Sequence, residues 1–252
     1  MQRAKFDLSL LGWVIVVLAI VLPATPWAAG YFAQPPVRIP SNVVWTPETI
    51  AQASNGNPVR GLIIGKRCTR CHGDEGFSDR PLTPNLAGMN VLAIWKQLQD
   101  FRSGKRVNST MQGMVADRTD ADIADIAAYF SMQLTTPDPL IKGPYPGARP
   151  TDAEIDTASR LVTLGDGTRG IPPCQACHGP AAFVQGAPSL ATQNGEYIQL
   201  QLAAFSESTR TNDINERMRT IASQMTPAER DAVAKYYGAG FGVLPATTVK
   251  TK

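Results

Sequence analysis

Two copies of the pentapeptide CxxCH contain the residues of this chain that are best suited to chemistry. They are CTRCH at 68–72 and CQACH at 174–178, and together they use all four cysteines and both histidines of the 252 residues. Two thiols at this spacing can add to the vinyl groups of one haem, while the adjacent imidazole becomes an axial ligand of its iron. The sequence therefore predicts two covalently bound haem c groups. The predicted thioether positions are Cys68, Cys71, Cys174 and Cys177, and the predicted proximal iron ligands are His72 and His178.

Zinc sites and disulfides explain the same residues less well. A zinc ion would have to collect its ligands from two distant segments, since neither motif alone supplies a complete set. Cysteines separated by only two residues in a turn also make a poor disulfide framework for a chain of this length. Two motifs with no spare cysteine or histidine favour haem attachment over both alternatives.

The distal iron ligands must be of another residue type, because both histidines are assigned to the proximal side. Methionine is expected in an electron carrier, since a thioether stabilises Fe(II) relative to Fe(III) and raises the reduction potential. Counting back from the C-terminal ends of the two repeats pairs Met111 with Met218, which we take as the distal ligands. Aligning on Arg106 and Arg210 instead pairs Met218 with Met114, because the second repeat carries about three more residues here. Met114 is therefore the alternative ligand at the first haem.

The two motifs lie in an internal duplication. Three further pairs of segments recur in the same order and at nearly the same offset. They are PNLAG at 84–88 with PSLAT at 188–192, QLQDF at 97–101 with QLAAF at 201–205, and ADIAAYF at 124–130 with DAVAKYY at 231–237. Each repeat is long enough to form a small domain of its own.

Helical periodicity dominates both repeats, and no stretch of useful length alternates as a strand would. Ile123, Ile126, Ala127 and Phe130 recur at the spacing of one helix face. The sequence predicts two all-α domains. Each has a helix before or at the CxxCH, a middle helix around Trp95 or Tyr197, and a closing helix whose start resembles a capping box.

Proline-rich segments mark the predicted boundaries, because proline ends helices and stiffens connections. The predicted divisions are a membrane anchor or signal peptide at 1–33, a Pro-rich stalk at 34–47, a first haem domain at 48–136, a Pro/Gly-rich linker at 137–150, a second haem domain at 151–242 and a C-terminal tail at 243–252.

The N-terminal segment is expected to enter a membrane. Residues 8–22, LSLLGWVIVVLAIVL, are almost wholly apolar, and Arg3 and Lys5 precede them. The length of this run lies between that of a signal-peptide core and that of a full membrane span, and the further apolar residues that follow it favour a retained transmembrane helix. The alternative is a cleaved signal peptide and a soluble periplasmic protein. In both cases the haem domains are expected in the periplasm, with an anchored protein held at the inner membrane.

Charge excludes nucleic acid as an expected partner. The formal net charge is +3, and four haem propionates would bring it close to neutrality. Residues 46–137 carry ten basic and nine acidic side chains, and residues 143–252 carry ten of each. No half of the chain is strongly of one sign. We expect redox proteins as partners, in addition to the membrane, and no small-molecule substrate.

The chain resembles the dihaem cytochromes c4 over roughly residues 55–240. The residues that carry the resemblance are GTRGIPPCQACHGP at 167–180, PNLAG at 84–88, FRSGKR at 101–106 and DIADIAAYF at 122–130. The resemblance implies two tandem class I cytochrome c domains related by pseudo-twofold symmetry, with His/Met coordination of each iron. One departure is FSESTR at 205–210, where the first repeat has FRSGKR.

The same resemblance implies an electron carrier that is not itself an enzyme. Its expected role is to carry electrons from a quinol-oxidising cytochrome bc complex or a dehydrogenase to a terminal haem-copper oxidase. Two alternatives are an electron-transfer subunit of a periplasmic dehydrogenase and a dihaem peroxidase-like enzyme. The second is disfavoured because a peroxidase needs an open iron and polar distal groups, and no third histidine exists in the chain.

Overall fold

The computed structural model describes residues 45–133, 149–179 and 184–243, which form two groups of helices. The first group contains α1 (Pro47–Ser54), α2 (Pro58–Ile64), α3 (Thr69–His72), α4 (Val91–Arg102), α5 (Ser109–Val115) and α6 (Asp120–Ser131). The second contains α7 (Asp152–Thr163), α8 (Cys174–His178), α9 (Gly195–Ser206), α10 (Arg217–Gln224) and α11 (Pro227–Gly238). Within the described ranges the prediction of a helical protein without strands is confirmed, and Trp95 and Tyr197 lie in the middle helices α4 and α9.

Each group has a hydrophobic core built around its closing helix. In the first, Ile123, Ile126 and Phe130 of α6 are buried, and α4 supplies Trp95 and Leu98. The core of the second group combines α7, α9 and α11 in the same way. The helical spacing of the apolar residues thus places one face of each closing helix inward.

Capping boxes start both closing helices, as the sequence predicts. The hydroxyl of Thr119 accepts a hydrogen bond from the N–H of Asp122, whose carboxylate accepts from the N–H of Thr119. Thr226 and Glu229 make the same pair of contacts at the start of α11, where Pro227 occupies the first turn. Each box satisfies backbone donors that a helix N-terminus leaves unpaired.

Helix α2 of the first domain packs very closely against the closing helix α6. A Cβ atom at Gly61 of α2 would come within 2.0 Å of the carbonyl oxygen of Asp125 in α6. Only glycine allows this approach. The α2 segment leads through a 3-10 turn at Gly65–Arg67 directly into the first CxxCH, so this contact positions the haem-binding motif.

No helix within the described ranges is long and apolar enough to span a membrane. The predicted anchor at 1–33, nearly all of the predicted stalk, and residues 137–148 of the predicted linker lie outside those ranges. The domain boundaries stay predictions.

Candidate haem sites

Each CxxCH histidine is fixed by one hydrogen bond to a proline carbonyl. Nδ1 of His72 lies 2.8 Å from the carbonyl oxygen of Pro84. Nδ1 of His178 lies 2.7 Å from the carbonyl oxygen of Pro188. Because a carbonyl oxygen can only accept, Nδ1 carries the proton, which leaves the Nε2 lone pair for a metal. The prolines of PNLAG and PSLAT therefore make the same contact in the two repeats.

Burial favours the neutral form of both imidazoles. His72 is only 6% exposed. Loss of water lowers the pKa of His72 and of His178, and the hydrogen bond to the proline carbonyl opposes this effect only in part. A neutral imidazole with a fixed tautomer is the form that ligates iron.

Short backbone contacts bring the first proline loop to its histidine. The chain turns immediately after the motif at Gly73, whose φ of 80° is in the left-handed region and where a Cβ atom would meet the carbonyl oxygen of Phe77 at 2.0 Å. The carbonyl of Gly76 then accepts a hydrogen bond of 2.7 Å from the N–H of Leu86, two residues after Pro84. The glycine after CTRCH is therefore required by the turn.

All four motif cysteines are half-buried. Cys68 packs against the core of the first domain and Cys174 against the core of the second. Burial raises the pKa of the Cys174 thiol to about 11. The two cysteines of each motif are three positions apart at one short helix, which places both beside the same histidine.

The predicted distal methionines occupy matching positions. Met111 lies in the first turn of α5, where its N–H donates to the side-chain oxygen of Asn108, and Met218 lies in the first turn of α10. Both side chains pack against the core that also contacts the first cysteine of their motif. Met114 lies in the second turn of α5 and is not among the residues that contact this core. The geometry favours Met111 over Met114, while the ligand assignment stays a prediction.

The alignment ambiguity at these methionines has a structural cause. The connection between α9 and α10 contains an additional 3-10 turn, Ile214–Glu216, in which Asn215 and Glu216 have left-handed backbone angles. Asp213 holds this turn to α10 by accepting hydrogen bonds from the backbone N–H and Nε of Arg219, at 3.0 and 2.8 Å. The inserted turn accounts for the extra residues of the second repeat.

Two buried donors, unpaired among the described residues, lie in the cores against which Cys68 and Cys174 pack. The indole N–H of Trp95 in the first domain and the hydroxyl of Tyr237 in the second have no hydrogen-bond partner within the described part of the chain. Trp95 is 5% exposed and Tyr237 is 2% exposed. Buried donors are normally paired, so both sites are suited to a group that brings acceptor oxygens, as the propionates of haem do.

A reciprocal set of polar contacts joins the two domains. Arg106 donates to the side-chain oxygen of Gln97 in its own domain at 2.8 Å and to that of Gln201 in the other at 3.0 Å. Arg210 donates to Gln201 at 2.8 Å and to Gln97 at 3.0 Å. Each arginine therefore donates to the glutamine of its own domain and to the glutamine of the other domain.

Sequence reasoning missed this interface. In the sequence, Arg106 and Arg210 indicate only how the two repeats align. Their equivalent positions in the two repeats are the signal that could have revealed a paired role. Tyr197, expected in the middle helix, accepts a 2.8 Å hydrogen bond from Arg106 across the interface. The interface also buries an ion pair of 2.5 Å between Lys96 and Asp100.

The proximal loop of the first haem site is part of this interface as well. The side-chain oxygen of Gln193 accepts from the N–H of Asn85 at 2.8 Å, and its amide nitrogen donates to the carbonyl of Asn85 at 3.0 Å. Asn85 directly follows Pro84, the partner of His72. The second domain therefore helps to fix the imidazole of the first.

Comparison with known proteins agrees with this geometry. No protein-family model matches the chain. Cytochrome c4 from Pseudomonas aeruginosa is 32% identical over 188 residues, which cover 72% of this chain and 87% of that protein. The chain belongs to the cytochrome c4 family. A crystal structure of reduced recombinant cytochrome c4 from Pseudomonas stutzeri, 31% identical, matches with a TM-score of 0.63 over 73% of this chain and 98% of that one.

A second type of relative shares the family. A "thiosulfate dehydrogenase electron acceptor" from Stutzerimonas stutzeri is 37% identical over 173 residues, which cover 68% of this chain and 77% of that protein. As in other cytochromes c4, two haem c groups are covalently bound, and the chain is a dihaem electron-transfer cytochrome. The predicted family and cofactors are confirmed.

Proposed function

We propose that the protein is an electron carrier that catalyses no reaction of its own. The observation that carries this proposal is the likeness of the two sites: each has an imidazole fixed by a proline carbonyl and a methionine in the first turn of a nearby helix. When bound, each haem supplies a one-electron Fe(III)/Fe(II) couple. Two sites of this kind suit storage and transfer of electrons.

The chain's residues would hold and tune this couple. We assign Cys68, Cys71, Cys174 and Cys177 to the thioether bonds, His72 and His178 to the proximal side, and Met111 and Met218 to the distal side. Hydrogen bonds from the imidazoles to proline carbonyls increase the basicity of the ligating nitrogen, and a thioether on the other side favours Fe(II). The apolar cores exclude water from both sites.

We further propose that the two domains are related by pseudo-twofold symmetry and exchange electrons within one molecule. The reciprocal contacts of Arg106 and Arg210 support this. In a twofold arrangement, every contact from the first domain to the second also occurs from the second domain to the first. The interface is polar, hydrogen-bonded and partly buried, so it would hold the two sites at a constant separation.

The proposed location is the periplasm, with the segment at 1–33 as an inner-membrane anchor. Its support is the apolar run at residues 8–22 and the two basic residues before it. The proposed donor is a cytochrome bc complex or a dehydrogenase, and the proposed acceptor is a haem-copper oxidase. An anchored carrier would serve partners in the same membrane.

A second candidate is the electron-acceptor partner of a periplasmic dehydrogenase. It is favoured by the relative that is named as a thiosulfate dehydrogenase electron acceptor. The redox chemistry of the chain is the same in both cases. Co-purification with a dehydrogenase in a fixed ratio, from cells that express the full chain, would select this candidate.

Spectra during a redox titration test the carrier proposal. We expect two low-spin haems at positive potential whose reduced spectra are unchanged by carbon monoxide, because both irons have two protein ligands. Carbon monoxide binding at either iron under native conditions would contradict the proposal and favour the peroxidase-like alternative, which needs an open site.

A further inference from the structure

Helix α2 exposes an apolar face that its own domain does not cover. Val59 is 70% exposed, Leu62 is 47% exposed and Ile63 is 69% exposed. On the opposite side, Gly61 contacts α6 and Ile64 packs against the core. A surface helix normally shows polar residues to solvent, so apolar residues on both sides indicate a second contact surface.

The duplicated domain provides an internal comparison. We align the buried Gly61 and the partly buried Ile64 of α2 with the buried Ala158 and Leu161 of α7. This alignment pairs the exposed residues Val59 with Asp156, Leu62 with Ser159, and Ile63 with Arg160. The face that is apolar in the first domain is therefore polar in the second, and the fold itself does not require it.

Three exposed cations continue this face toward the first haem site. Lys66 and Arg67 lie in the 3-10 turn after α2, and Arg70 lies between the two cysteines of CTRCH. Within the described ranges, none of the three has a carboxylate partner within 4 Å.

The corresponding stretch of the second domain has no such free cations. Arg160 and Arg169 both lie near Asp166, at 3.8 and 2.9 Å. The exposed apolar residue of this stretch of the second domain is Leu164. The basic and apolar surface thus belongs to the first domain.

We propose that the exposed face of α2, together with Lys66, Arg67 and Arg70, is the docking surface of the first haem for a redox protein with an apolar centre and an acidic rim. The inference rests on the proposed carrier function and names the domain that meets this partner. Val59 is nine residues from Cys68, about 14 Å along a helix. One protein interface of ordinary size covers that distance and brings the partner to the haem attachment site.

The charge pattern selects a protein partner of this kind. Transient complexes combine an apolar centre with charges of opposite sign at the rim, which accelerate encounter without creating tight binding. The unpaired cations lie beside Cys68 and Cys71, where electrons must cross to a partner. The partner's carboxylates would neutralise them.

Stopped-flow electron transfer to an oxidised, acidic blue-copper protein tests the surface. The probe reacts with the reduced full chain in detergent, over a range of ionic strengths. The triple variant Val59→Asp, Leu62→Ser, Ile63→Arg replaces the exposed apolar residues of α2 with the residues that align with them in α7. We expect its second-order rate constant to fall about tenfold. In Lys66→Glu, Arg67→Glu, the rate should no longer fall as salt is added.

A matched control lies on the other domain. Leu164→Ser removes an exposed apolar side chain of the second domain and should leave the rate unchanged. All variants must keep the spectra and reduction potentials of the unmodified protein, and the same rate with a small inorganic oxidant. Failure of the carrier proposal would show in the carbon monoxide titration of the unmodified protein, so the two failures are distinguishable.

Carbodiimide cross-linking locates the contact directly. We expect Lys66 to couple to carboxylates of the probe, whereas coupling only at Lys105 or Lys235 would overturn the proposal. An unchanged rate in the triple variant would do the same.

Two further outcomes would assign the face to another occupant and also overturn it. In the first, amide exchange at residues 58–67 of the full chain slows in nanodiscs that contain phosphatidylglycerol, in the absence of the probe. In the second, amide exchange at the same residues slows as the concentration of the protein itself rises. The first result would indicate a lipid surface and the second would indicate another copy of this chain.

Discussion

The two haem domains hold the same proximal geometry by different means. In the first, Gly61 allows α2 to lie directly against the backbone of α6, and α2 continues into the CxxCH. In the second, Arg169 in the turn before the motif bonds both carboxylate oxygens of Glu229 at the start of α11, at 2.9 and 2.7 Å. Close backbone packing holds the motif in the first domain, and a bidentate ion pair holds it in the second.

Their shared interface shows a similar contrast. Its arginine and glutamine contacts are reciprocal, but the buried pair of Lys96 and Asp100 belongs to the first domain alone. At the offset of the QLQDF and QLAAF segments, the second domain has Leu200 and Ala204 in these places. Duplication has preserved the contact between each motif histidine and its proline carbonyl while the surroundings diverged. Differences in reduction potential between the haems should therefore arise from these surroundings.

Removal of a distal methionine should have the largest effect and should affect one domain only. Met218→Ala takes away a thioether that stabilises Fe(II), so we expect the second haem to lose on the order of 0.1–0.2 V in potential and to bind carbon monoxide. The first haem should keep its properties. Met111→Ala should produce the mirror result, measured by spectroelectrochemical titration.

Met114→Ala is the matched control for the first haem. Met114 lies one turn after Met111 in α5, and its loss should leave both potentials and the carbon monoxide response unchanged. If Met114→Ala opened the first haem and Met111→Ala did not, the ligand assignment would be wrong.

Loss of the buried carboxylate of the first domain should be the next largest effect. Asp100→Ala leaves the charge of Lys96 buried without its partner, which should cost about 3–5 kcal/mol of unfolding free energy in chemical denaturation. Burial lowers the pKa of Lys96, and Asp100 opposes that effect. Without Asp100 the amine gives up its proton at a lower pH, so the loss of stability should shrink as the pH rises toward 10.5.

The second domain suggests the control for this variant. Lys96→Leu with Asp100→Ala installs the residues of the second domain and removes both charges together. Its destabilisation should be clearly smaller than that of Asp100→Ala alone. Equal losses in the two variants would show that the unpaired charge is not the cause.

The ion pair of the second domain should give the smallest effect, visible in acid. The hydrogen bond from Arg169 lowers the pKa of Glu229 from 4.5 to about 2. A carboxylate with a lowered pKa stabilises the fold above pH 4.5, and this stabilisation is lost as the pH falls toward 2. Glu229→Gln should therefore cost about 1 kcal/mol at neutral pH and weaken the acid dependence of unfolding.

Asp122→Asn is the corresponding change in the first domain. The pKa of Asp122 is lowered chiefly by the backbone N–H of Thr119 in its capping box. We expect a smaller change in acid stability, because Asp122 makes no bidentate contact with an arginine. A larger effect at Asp122 than at Glu229 would mean that the two domains do not differ in the proposed way.

Local patterns in the sequence were sufficient to predict much of the fold. The CxxCH motifs indicate covalent haem, because the spacing of two thiols and an imidazole is set within one turn of chain. Capping boxes and closing helices are also local, since they depend on residues three or four positions apart. The proline carbonyls could be anticipated because each lies at a short, similar distance after its histidine.

The sequence by itself determined the cofactor, the duplication and the helical class, because each depends on chemistry or periodicity within a short segment. Only the tertiary structure separated Met111 from Met114, since the inserted turn Ile214–Glu216 makes the linear alignment ambiguous. It alone also revealed the reciprocal contacts of Arg106 and Arg210 and the exposed face of α2. Contacts between residues about a hundred positions apart leave no local spacing to detect, and a helix with apolar residues on both sides gives no sign of which side is buried.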